Sequence, residues 1–386
     1  MPLYHASATV LGLALCLETG CTFAIGKKFS TKTFWKEARG HNATVVQYVG
    51  ETCRYLLLAP PQIDLDTGED LDRRHSIRAA FGNGLRADVF ERFRDRFGIE
   101  TIAEFYAQTE GFLALCNLTT SDYASGAMGR GGWLYSLLMR WRGVNVVAIN
   151  LETDEPARDA RTGFCRHAAA GEVGEMLFMI ADRNDVERVY QGYYGNVEAT
   201  RKKIIHGVFR AGDAFFRSGD LVSWDAEGRI YFHDRIGDTF RWKSENVSTT
   251  EVGNALGMHA LVAEANAYGV QLPHHDGRAG AAVVVLRGSG GKLVDETRLN
   301  DETLRSLARH AFDRLPRYAV PIFLRISENL GHAVTGTNKQ QKHDLRVQGV
   351  DPNRIGTDKL FWLRDGTYVP FGPSEWQELS AGRVKL

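Results

Sequence analysis

The chain has 386 residues with 47 basic and 47 acidic side chains, so its formal net charge is zero. This length predicts two or three domains, and a chain of this size needs neither disulfides nor metal to fold. The 44% of hydrophobic and 24% of charged residues exclude a disordered chain. The neutral balance provides no bulk attraction to nucleic acid or to an anionic membrane, so we expect no nucleic-acid partner.

The five cysteines are scattered and lack metal-binding spacing, which predicts reduced thiols in an intracellular protein. Residues 8–17 form an apolar run that no basic residue precedes and that is too short to cross a bilayer. We therefore predict a buried helix there rather than a signal peptide. Residues 133–149 are also apolar but contain Arg140 and Arg142. A core helix that runs into a strand is the more usual structure, and a helix on a membrane surface is the alternative.

Strand-like and helix-like segments alternate along the first 235 residues, which indicates an α/β fold. Strands are predicted at residues 44–48, 77–81, 102–106, 144–149, 175–180, 215–224 and 229–233, and the turn residues 225–228 predict a hairpin between the last two. Helices are predicted at residues 51–58 and 87–97, the second ending at Gly98, and a short basic helix runs from Asn196 through Ile205. The glycine-rich residues 126–132 lack the ending of a phosphate-binding P-loop, so we interpret them as a flexible connection.

The composition shifts after Asp234. A capping-box pattern at residues 248–251 opens a helix. Further elements are predicted as strands at 265–270, 281–286 and 322–326 and as a helix at 301–315. These signals predict two domains, residues 1–235 and residues 236–386.

Four short segments follow one another along the chain, and their order and spacing are more informative than any one of them. They are residues 106–111 (YAQTEG), 217–220 (RSGD), 234–247 (DRIGDTFRWKSENV) and 335–339 (TGTNK). Each is weak alone, but together they resemble the motif series of the adenylate-forming superfamily. The wording of residues 48–57, 82–86, 240–251 and 335–337 is similar to the fatty acid transport protein and very-long-chain acyl-CoA synthetase family. The resemblance covers nearly the whole chain.

The resemblance implies an α/β adenylate-forming fold. Residues 1–235 would be the rear part of the large AMP-binding domain, and residues 236–386 would be the small mobile domain that carries the catalytic lysine. The implied reaction converts a fatty acid, ATP and coenzyme A to acyl-CoA, AMP and pyrophosphate, with Mg²⁺ as cofactor. Peripheral membrane contact at the endoplasmic reticulum, the peroxisome or another membrane is the implied location, and the oligomeric state stays open.

The resemblance also assigns the nucleotide site. Gly82, Asn83 and Gly84 would let the backbone approach the adenine, and Tyr106 would stack on it. The ordinary alternatives are a simple turn and a core aromatic residue. Ala107 stands where the superfamily often has glycine, and a small residue still serves there.

Four further side chains are assigned to the phosphates, the metal and the ribose. Thr109 would hydrogen-bond a phosphate, and Glu110 would hold Mg²⁺, which prefers carboxylate oxygens. Asp220 would accept hydrogen bonds from both ribose hydroxyls, and Arg235 would add a donor. A solvated turn carboxylate and a hairpin ion pair are the ordinary alternatives.

The second domain supplies the remaining predictions. Gly237 falls at the hinge position, where glycine tolerates a change of backbone dihedrals. Lys243, Ser244 and Glu245 would face the coenzyme A channel, although the superfamily usually has glycine in place of Ser244. Lys339 would be the adenylation lysine and would contact the substrate carboxylate and the α-phosphate.

Two further residues, Lys342 and His5, have less specific signals. Lys342 lies near Lys339 but lacks its motif, and any single lysine can be a surface residue. His5 matches the acyl-pocket segment of the superfamily, with a core histidine as the alternative.

Family members extend further at the front, where a Ser/Thr/Gly-rich loop grips the β- and γ-phosphates, and this chain contains no such loop. We therefore expect an N-terminally truncated member, and three hypotheses stay open. The first is an acyl-CoA synthetase for long or very long fatty acids, whose activity the truncation can impair. The second is a non-catalytic remnant that binds nucleotide, coenzyme A or lipid, or that serves as a partner of a complete subunit. The third is a ligase of the same superfamily for another carboxylic acid, such as an aryl or bile acid.

Overall fold

The computed structural model describes residues 3–109, 111, 114–150, 153–180, 190, 192–243, 245–288, 299–328, 342–384 and 386. The chain divides into two compact units, Met1–Ile236 and Gly237–Leu386. Both units combine helices with mixed sheets, so the predicted α/β class is confirmed. None of the helices in the described segments has the length and apolar character needed to cross a bilayer.

Unit 1 opens with helical segments and a four-stranded sheet. The helical segments are α1 (Ala6–Ala8), a π-helical stretch (Thr9–Ala14), α2 (Leu15–Thr19) and α3 (Phe34–Gly40). The sheet contains β1 (Val45–Val49), β2 (Ala79–Asn83), β3 (Thr101–Tyr106) and β4 (Leu115–Thr119) in that order. Strands β1, β2 and β3 are parallel, and the helices α4 (Gly50–Leu58) and α5 (Ala87–Phe97) connect them. Parallel neighbours require such crossover connections.

The sequence of helix α5 explains both its buried face and its end. Its apolar residues Val89, Phe90, Phe93 and Phe97 recur at helical spacing and are all buried. Gly98 ends the helix with φ +66°, a left-handed conformation that glycine adopts without strain. The predicted helix 87–97 is therefore confirmed in both type and bounds.

The second sheet of unit 1 is antiparallel. Its strands are β5 (Ala127–Arg130), β6 (Val144–Asn150), β7 (Glu155–Pro156), β8 (Val173–Met179), β9 (Ile204–His206), β10 (Ala214–Trp224) and β11 (Arg229–Arg235). The order is β5-β11-β10-β8-β6-β7, and β9 also pairs with β10. Helices α6 (Trp133–Trp141) and α7 (Val197–Lys202) accompany this sheet. The predicted hairpin turn at 225–228 is confirmed, since β10 and β11 pair across it.

Unit 2 contains a hairpin and a five-stranded sheet. The hairpin strands are β12 (Phe240–Trp242) and β13 (Glu245–Val247), and the sheet order is β14 (Val262–Gln271), β15 (Arg278–Leu286), β16 (Phe323–Ile326), β17 (Lys359–Arg364) and β18 (Thr367–Pro370). Its helices are α8 (Thr249–Gly257), α9 (Asp301–Arg314), α10 (His343–Gln348) and α11 (Pro373–Ser380). Ser248 caps α8 by accepting a hydrogen bond from the amide of Glu251, as the capping-box pattern predicts.

Several local predictions are wrong. The run 8–17 is helical but not a buried helix, because Val10, Leu15 and Leu17 are exposed. The glycine-rich segment contains strand β5, whose pairing with β11 replaces the expected flexible connection. The basic helix after Asn196 ends at Lys202, because Ile204 and Ile205 join strand β9.

Candidate active site

The predicted adenine and phosphate segments end two neighbouring parallel strands of unit 1. Residues 82–84 lie at the carboxyl end of β2, and Tyr106 ends β3, with Gly82 paired to Glu104 in the strand register. Ligands of open α/β sheets bind outside the carboxyl ends of the strands. This edge is therefore the place where the two segments can act on one ligand.

A backbone irregularity sets the position of Asp220. The pairing of β10 with β8 shifts register between Arg217 and Leu221, and Gly219 in this bulge has φ +74°. Bulges of this kind change the direction of a strand and its side chains. Asp220 is opposite Arg235 in the β10–β11 pairing, so the two residues come together although they are 15 positions apart.

The Asp220 carboxylate joins the two segments. Its Oδ2 atom accepts hydrogen bonds from the Tyr106 hydroxyl at 2.6 Å and from Nε2 of Gln108 at 2.7 Å. Its Oδ1 atom lies 3.5 Å from Nε of Arg235. Burial raises the pKa of Asp220, and these three partners act in the opposite direction. The structure thus brings Tyr106, Asp220 and Arg235 together.

This arrangement refines the interpretation of the ribose site. A carboxylate oxygen offers about two lone-pair sites, and the Tyr106 and Gln108 donors account for those of Oδ2. Oδ1 is therefore the oxygen with remaining capacity for a ligand hydroxyl. Tyr106 uses its hydroxyl to hold Asp220, which leaves only its ring for the predicted stacking. Sequence reasoning did not assign Gln108, although it lies inside the quoted motif.

A buried ion pair supports the segment that carries Asp220. Arg217 donates to Glu175 through Nε at 3.0 Å and Nη2 at 2.8 Å, and the amide of Gly219 donates to the same carboxylate at 3.2 Å. The Glu175 side chain is 1% exposed. Glu175 thus binds the start of the bulge, through Arg217, and its middle, through Gly219. The signal in the sequence is a lone carboxylate within an otherwise apolar strand.

Steric contacts explain two glycines near the predicted adenine loop. A Cβ atom on Gly82 would lie 2.2 Å from the backbone oxygen of Tyr48, and one on Gly50 would lie 1.7 Å from that of Gly84. Close packing of β1, β2 and the start of α4 therefore requires glycine at positions 82 and 50. Gly84 has φ +78° and open space around it, so its backbone conformation accounts for that glycine.

Sequence reasoning missed Glu104, which lies beneath this loop. One carboxylate oxygen accepts hydrogen bonds from the amides of Gly84 and Leu85, and the other accepts one from the Tyr48 hydroxyl at 2.5 Å. Burial raises the pKa of Glu104 to about 8, although these donors act against the shift. The available signal is the period of two in β3, which puts Glu104 on the same buried face as Ile102.

The coenzyme A segment forms the β12–β13 hairpin of unit 2. Lys243 has φ +50° in the turn, and Trp242 pairs with Glu245. The hairpin packs on its own unit, because the ring of Phe240 occupies space that a Cβ on Gly269 would need. Ser244 lies outside the described residues.

Two further predicted residues, Glu110 and Lys339, also lie outside the described residues, as do residues 335–337. Lys342 is described, and its Nζ donates to the hydroxyl of Thr249 at 2.5 Å and lies 3.7 Å from Asp238. Lys342 therefore has structural partners within unit 2. His5 accepts a hydrogen bond from the amide of Ser7 and caps α1.

Comparison with known protein families gives two matches that follow one another along the chain. Residues 1–163 match the AMP-binding enzyme family, and residues 251–337 match the AMP-binding enzyme C-terminal domain. The crystal structure of an ATP-bound RpMatB-BxBclM chimera has a TM-score of 0.66 at 21% identity, covering 90% of this chain and 59% of the other. The fold is therefore that of the adenylate-forming enzymes.

Curated relatives narrow the class. The very long-chain fatty acid transport protein of Cochliobolus heterostrophus is 43% identical over all of this chain and 57% of its own length. The isopenicillin N epimerase component 1 of Hapsidospora chrysogena is 41% identical over all of this chain and 62% of its own length. The chain thus matches the AMP-binding enzyme family over two of its segments and is similar along its whole length to fatty acid transport proteins. It spans about three fifths of the length of these relatives.

Proposed function

We propose that the protein is an ATP-dependent acyl-CoA synthetase for long or very long fatty acids. The observation that carries the proposal is the cluster of Tyr106, Asp220 and Arg235 at the carboxyl edge of the parallel strands. A buried carboxylate with one oxygen available and an exposed arginine beside it suit a polar, hydroxyl-bearing ligand with negative charge. A nucleotide has both features.

Each part of the nucleotide then has a binding group. Oδ1 of Asp220 accepts from the ribose, and the guanidinium of Arg235 donates to it. The adenine lies along residues 82–84, with the Tyr106 ring against it. Glu104 and Glu175 act through the backbone, since they fix the loop of Gly84 and the bulge of Gly219.

Thr109 and Glu110 serve the phosphates and Mg²⁺. Among the described residues there is no group of three or more His, Cys, Asp or Glu side chains that could hold a metal ion. Mg²⁺ is usually bound by one or two carboxylates together with phosphate oxygens and water, and the carboxylate of Glu110 is of the right donor type. When bound, Mg²⁺ would offset negative charge on the phosphates. Thr109, next to Glu110, donates its hydroxyl to a phosphate oxygen.

The proposed reaction has two steps. A fatty acid carboxylate oxygen attacks the α-phosphorus of ATP, and the bond to pyrophosphate breaks to leave acyl-AMP. The sulfur of coenzyme A then attacks the acyl carbon, loses its proton, and AMP leaves with the bonding electron pair. The ammonium of Lys339 lies against the substrate carboxylate and α-phosphate and stabilises the negative charge of the first transition state.

The two domains divide this work. Residues 1–235 form the rear part of the AMP-binding domain, and residues 236–386 form the mobile domain. Gly237 has φ +88° with no heavy atom near its missing Cβ, which suits a hinge. Lys243, Ser244 and Glu245 turn toward coenzyme A for the second step.

The activity is tested by ATP–pyrophosphate exchange that depends on added long-chain fatty acid. Lys339→Ala should lower exchange by about two to three orders of magnitude, because a positioned charge is lost from the transition state. The control Lys359→Ala removes an exposed lysine of β17 and should leave exchange unchanged. Near-normal exchange by Lys339→Ala would reject the lysine assignment. If the whole protein exchanges no label with a fatty acid, an aryl acid or a bile acid, the non-catalytic alternative stands instead.

The ribose assignment has a separate test. Calorimetry should show that the wild-type chain binds AMP more tightly than 2′-deoxy-AMP, because Oδ1 of Asp220 accepts from a ribose hydroxyl. Asp220→Asn should reduce AMP affinity about tenfold or more and remove this preference, since a hydrogen bond to a charged group contributes about 1.5–3 kcal/mol. Arg161→Ala is an exposed control in the same unit. Equal discrimination by wild type and Asp220→Asn would reject the assignment.

A ligase for another carboxylic acid is the second candidate. The relative named isopenicillin N epimerase component 1 is nearly as similar as the fatty acid transport protein, so the branch includes more than one substrate chemistry. The exchange assay with long-chain, aryl and bile acids compared at one concentration separates the two. Preferred exchange with a ring-bearing acid would replace the fatty acid proposal. Location at a membrane periphery is part of the first proposal.

A further inference from the structure

Helix α6 presents an apolar face to solvent. Trp133, Leu137 and Trp141 are 73%, 59% and 78% exposed, and Leu134 and Leu138 are exposed as well. For residues 133–149 the sequence allowed a core helix that runs into a strand or a helix on a membrane surface. The core helix is wrong for α6, because these apolar side chains are exposed. Strand β6 that follows is the buried part.

The opposite face of the same helix attaches it to unit 1. Met139 is buried, and the hydroxyl of Ser136 accepts a hydrogen bond from Nε1 of Trp224 at 3.2 Å. At the border between the two faces, the guanidinium of Arg140 lies 5.2 Å from the ring centre of Trp224 while its side chain stays exposed. The helix is therefore fixed on its inner side, and the apolar side is a regular outward surface rather than a loose end.

Two arginines flank the apolar face. At the α-helical turn of about 100° per residue, the five exposed apolar residues cover an arc of about 140°. Arg140 falls just beyond one edge of this arc and Arg142, which caps the helix, falls beyond the other. Both arginines are exposed. An apolar face bordered by arginines on both sides is the arrangement of a helix that lies in a lipid interface.

The local charge supports the same partner. Residues 123–150 contain three arginines and neither aspartate, glutamate nor lysine, within a chain whose net charge is zero. Tryptophans stand at both ends of the helix, and tryptophan is enriched at membrane–water interfaces. Arginine side chains reach phosphate groups while their stems cover apolar surface.

We propose that α6 is a membrane-docking surface of unit 1 that lies in the headgroup region of an anionic phospholipid bilayer. Trp133, Leu137 and Trp141 enter the acyl boundary, and Arg140 and Arg142 contact the lipid phosphates. The inference concerns unit 1 alone and holds whatever acid the site activates.

The test is co-sedimentation of the full 386-residue chain with vesicles of phosphatidylcholine and phosphatidylserine in equal parts. The wild type should bind these vesicles, and binding should weaken in high salt and on pure phosphatidylcholine. Leu137→Glu should lower the partition coefficient about tenfold or more. Leu65→Glu is the matched control, because Leu65 is 98% exposed elsewhere in unit 1. This variant should bind vesicles like the wild type.

The charge component has its own pair of variants. Arg142→Glu should weaken binding to anionic vesicles, and Arg161→Glu should not. Circular dichroism verifies that each variant is folded, and the double variant W133S/W141S replaces Leu137→Glu if the latter is unfolded.

Three results would overturn the proposal. The first is no binding by the wild type, and the second is equal binding by wild type and a folded Leu137→Glu variant. The third is a Leu137→Glu variant that still binds vesicles but differs from the wild type in oligomeric state, as measured by light scattering. The apolar face would then be a contact with a second copy of the chain.

Discussion

Two regions of unit 1 use the same device to shape a candidate ligand segment. Beneath β2 the carboxylate of Glu104 accepts the amide of Gly84, and beneath β10 the carboxylate of Glu175 accepts the amide of Gly219. Both glycines have positive φ, and both carboxylates are buried. A short backbone segment is thus fixed from below while its outer side stays available for a ligand.

The regions differ in how the buried charge is balanced. Glu175 has the guanidinium of Arg217, whereas the described partners of Glu104 are a tyrosine hydroxyl and two amides. Burial raises the pKa of both carboxyls, and at Glu104 it reaches about 8. The contribution of Glu175 to stability therefore depends on its ion pair with Arg217. The contribution of Glu104, which has only neutral donors among its described partners, depends on pH.

The largest expected effect comes from breaking the ion pair. Glu175→Ala leaves Arg217 with only the exposed Glu155 as an acidic partner and removes the acceptor of the Gly219 amide, so it should lower the free energy of unfolding by about 3 kcal/mol. The control Glu172→Ala removes another carboxylate paired with an arginine, Arg166, but at the surface, and should cost about 1 kcal/mol or less. Urea denaturation of both variants measures the difference. Equal losses would mean that burial does not distinguish the two pairs.

The second prediction concerns the pH dependence of Glu104. Its folded-state pKa of about 8 lies above the ordinary 4.5, so between these values the folded chain keeps a proton that the unfolded chain has released. Stability from this group is therefore present at low pH and lost as pH rises toward 8. Between pH 6 and pH 8 the wild type should lose about 2 kcal/mol relative to Glu104→Gln.

Urea titrations at several pH values measure this difference, and Glu172→Gln provides the control. Interactions with Arg166 lower the pKa of Glu172 to about 2, so its titration lies far below this window. A wild type and a Glu104→Gln variant with parallel stability profiles from pH 6 to pH 8 would contradict the raised pKa.

The smallest effects should come from the two glycines. Gly84→Ala and Gly219→Ala force a side chain into a left-handed conformation without a close steric contact, and each should cost about 1–2 kcal/mol. Gly40→Ala, at the end of α3 with open space and no positive φ, should be neutral or slightly stabilising. Thermal unfolding of the three variants tests whether the two segments are alike in backbone and differ only in their carboxylates. A much larger loss of stability in one of the two variants, Gly84→Ala or Gly219→Ala, would show that the two backbone segments are not alike.

Local patterns in the sequence predicted most elements because their information is local. The spacing of Val89, Phe90, Phe93 and Phe97 with Gly98 determined α5 to the residue. Strand and helix periods also predicted the β10–β11 hairpin and the capped start of α8. The apolar content of residues 8–17 and of α6 favours burial, and this prediction is wrong because burial depends on which other elements cover a side chain.

Residue patterns along the chain are enough to assign the α/β class, the order of the elements and the segments that resemble an AMP-binding enzyme. Only the tertiary structure brought Asp220 to Tyr106 and Gln108, more than 100 positions away along the chain. Only the tertiary structure put Glu104 and Glu175 beneath glycine segments and the apolar face of α6 toward solvent. Local periodicity fixes which way a side chain points from its own element, whereas its partners, its burial and its pKa depend on contacts between elements distant in sequence.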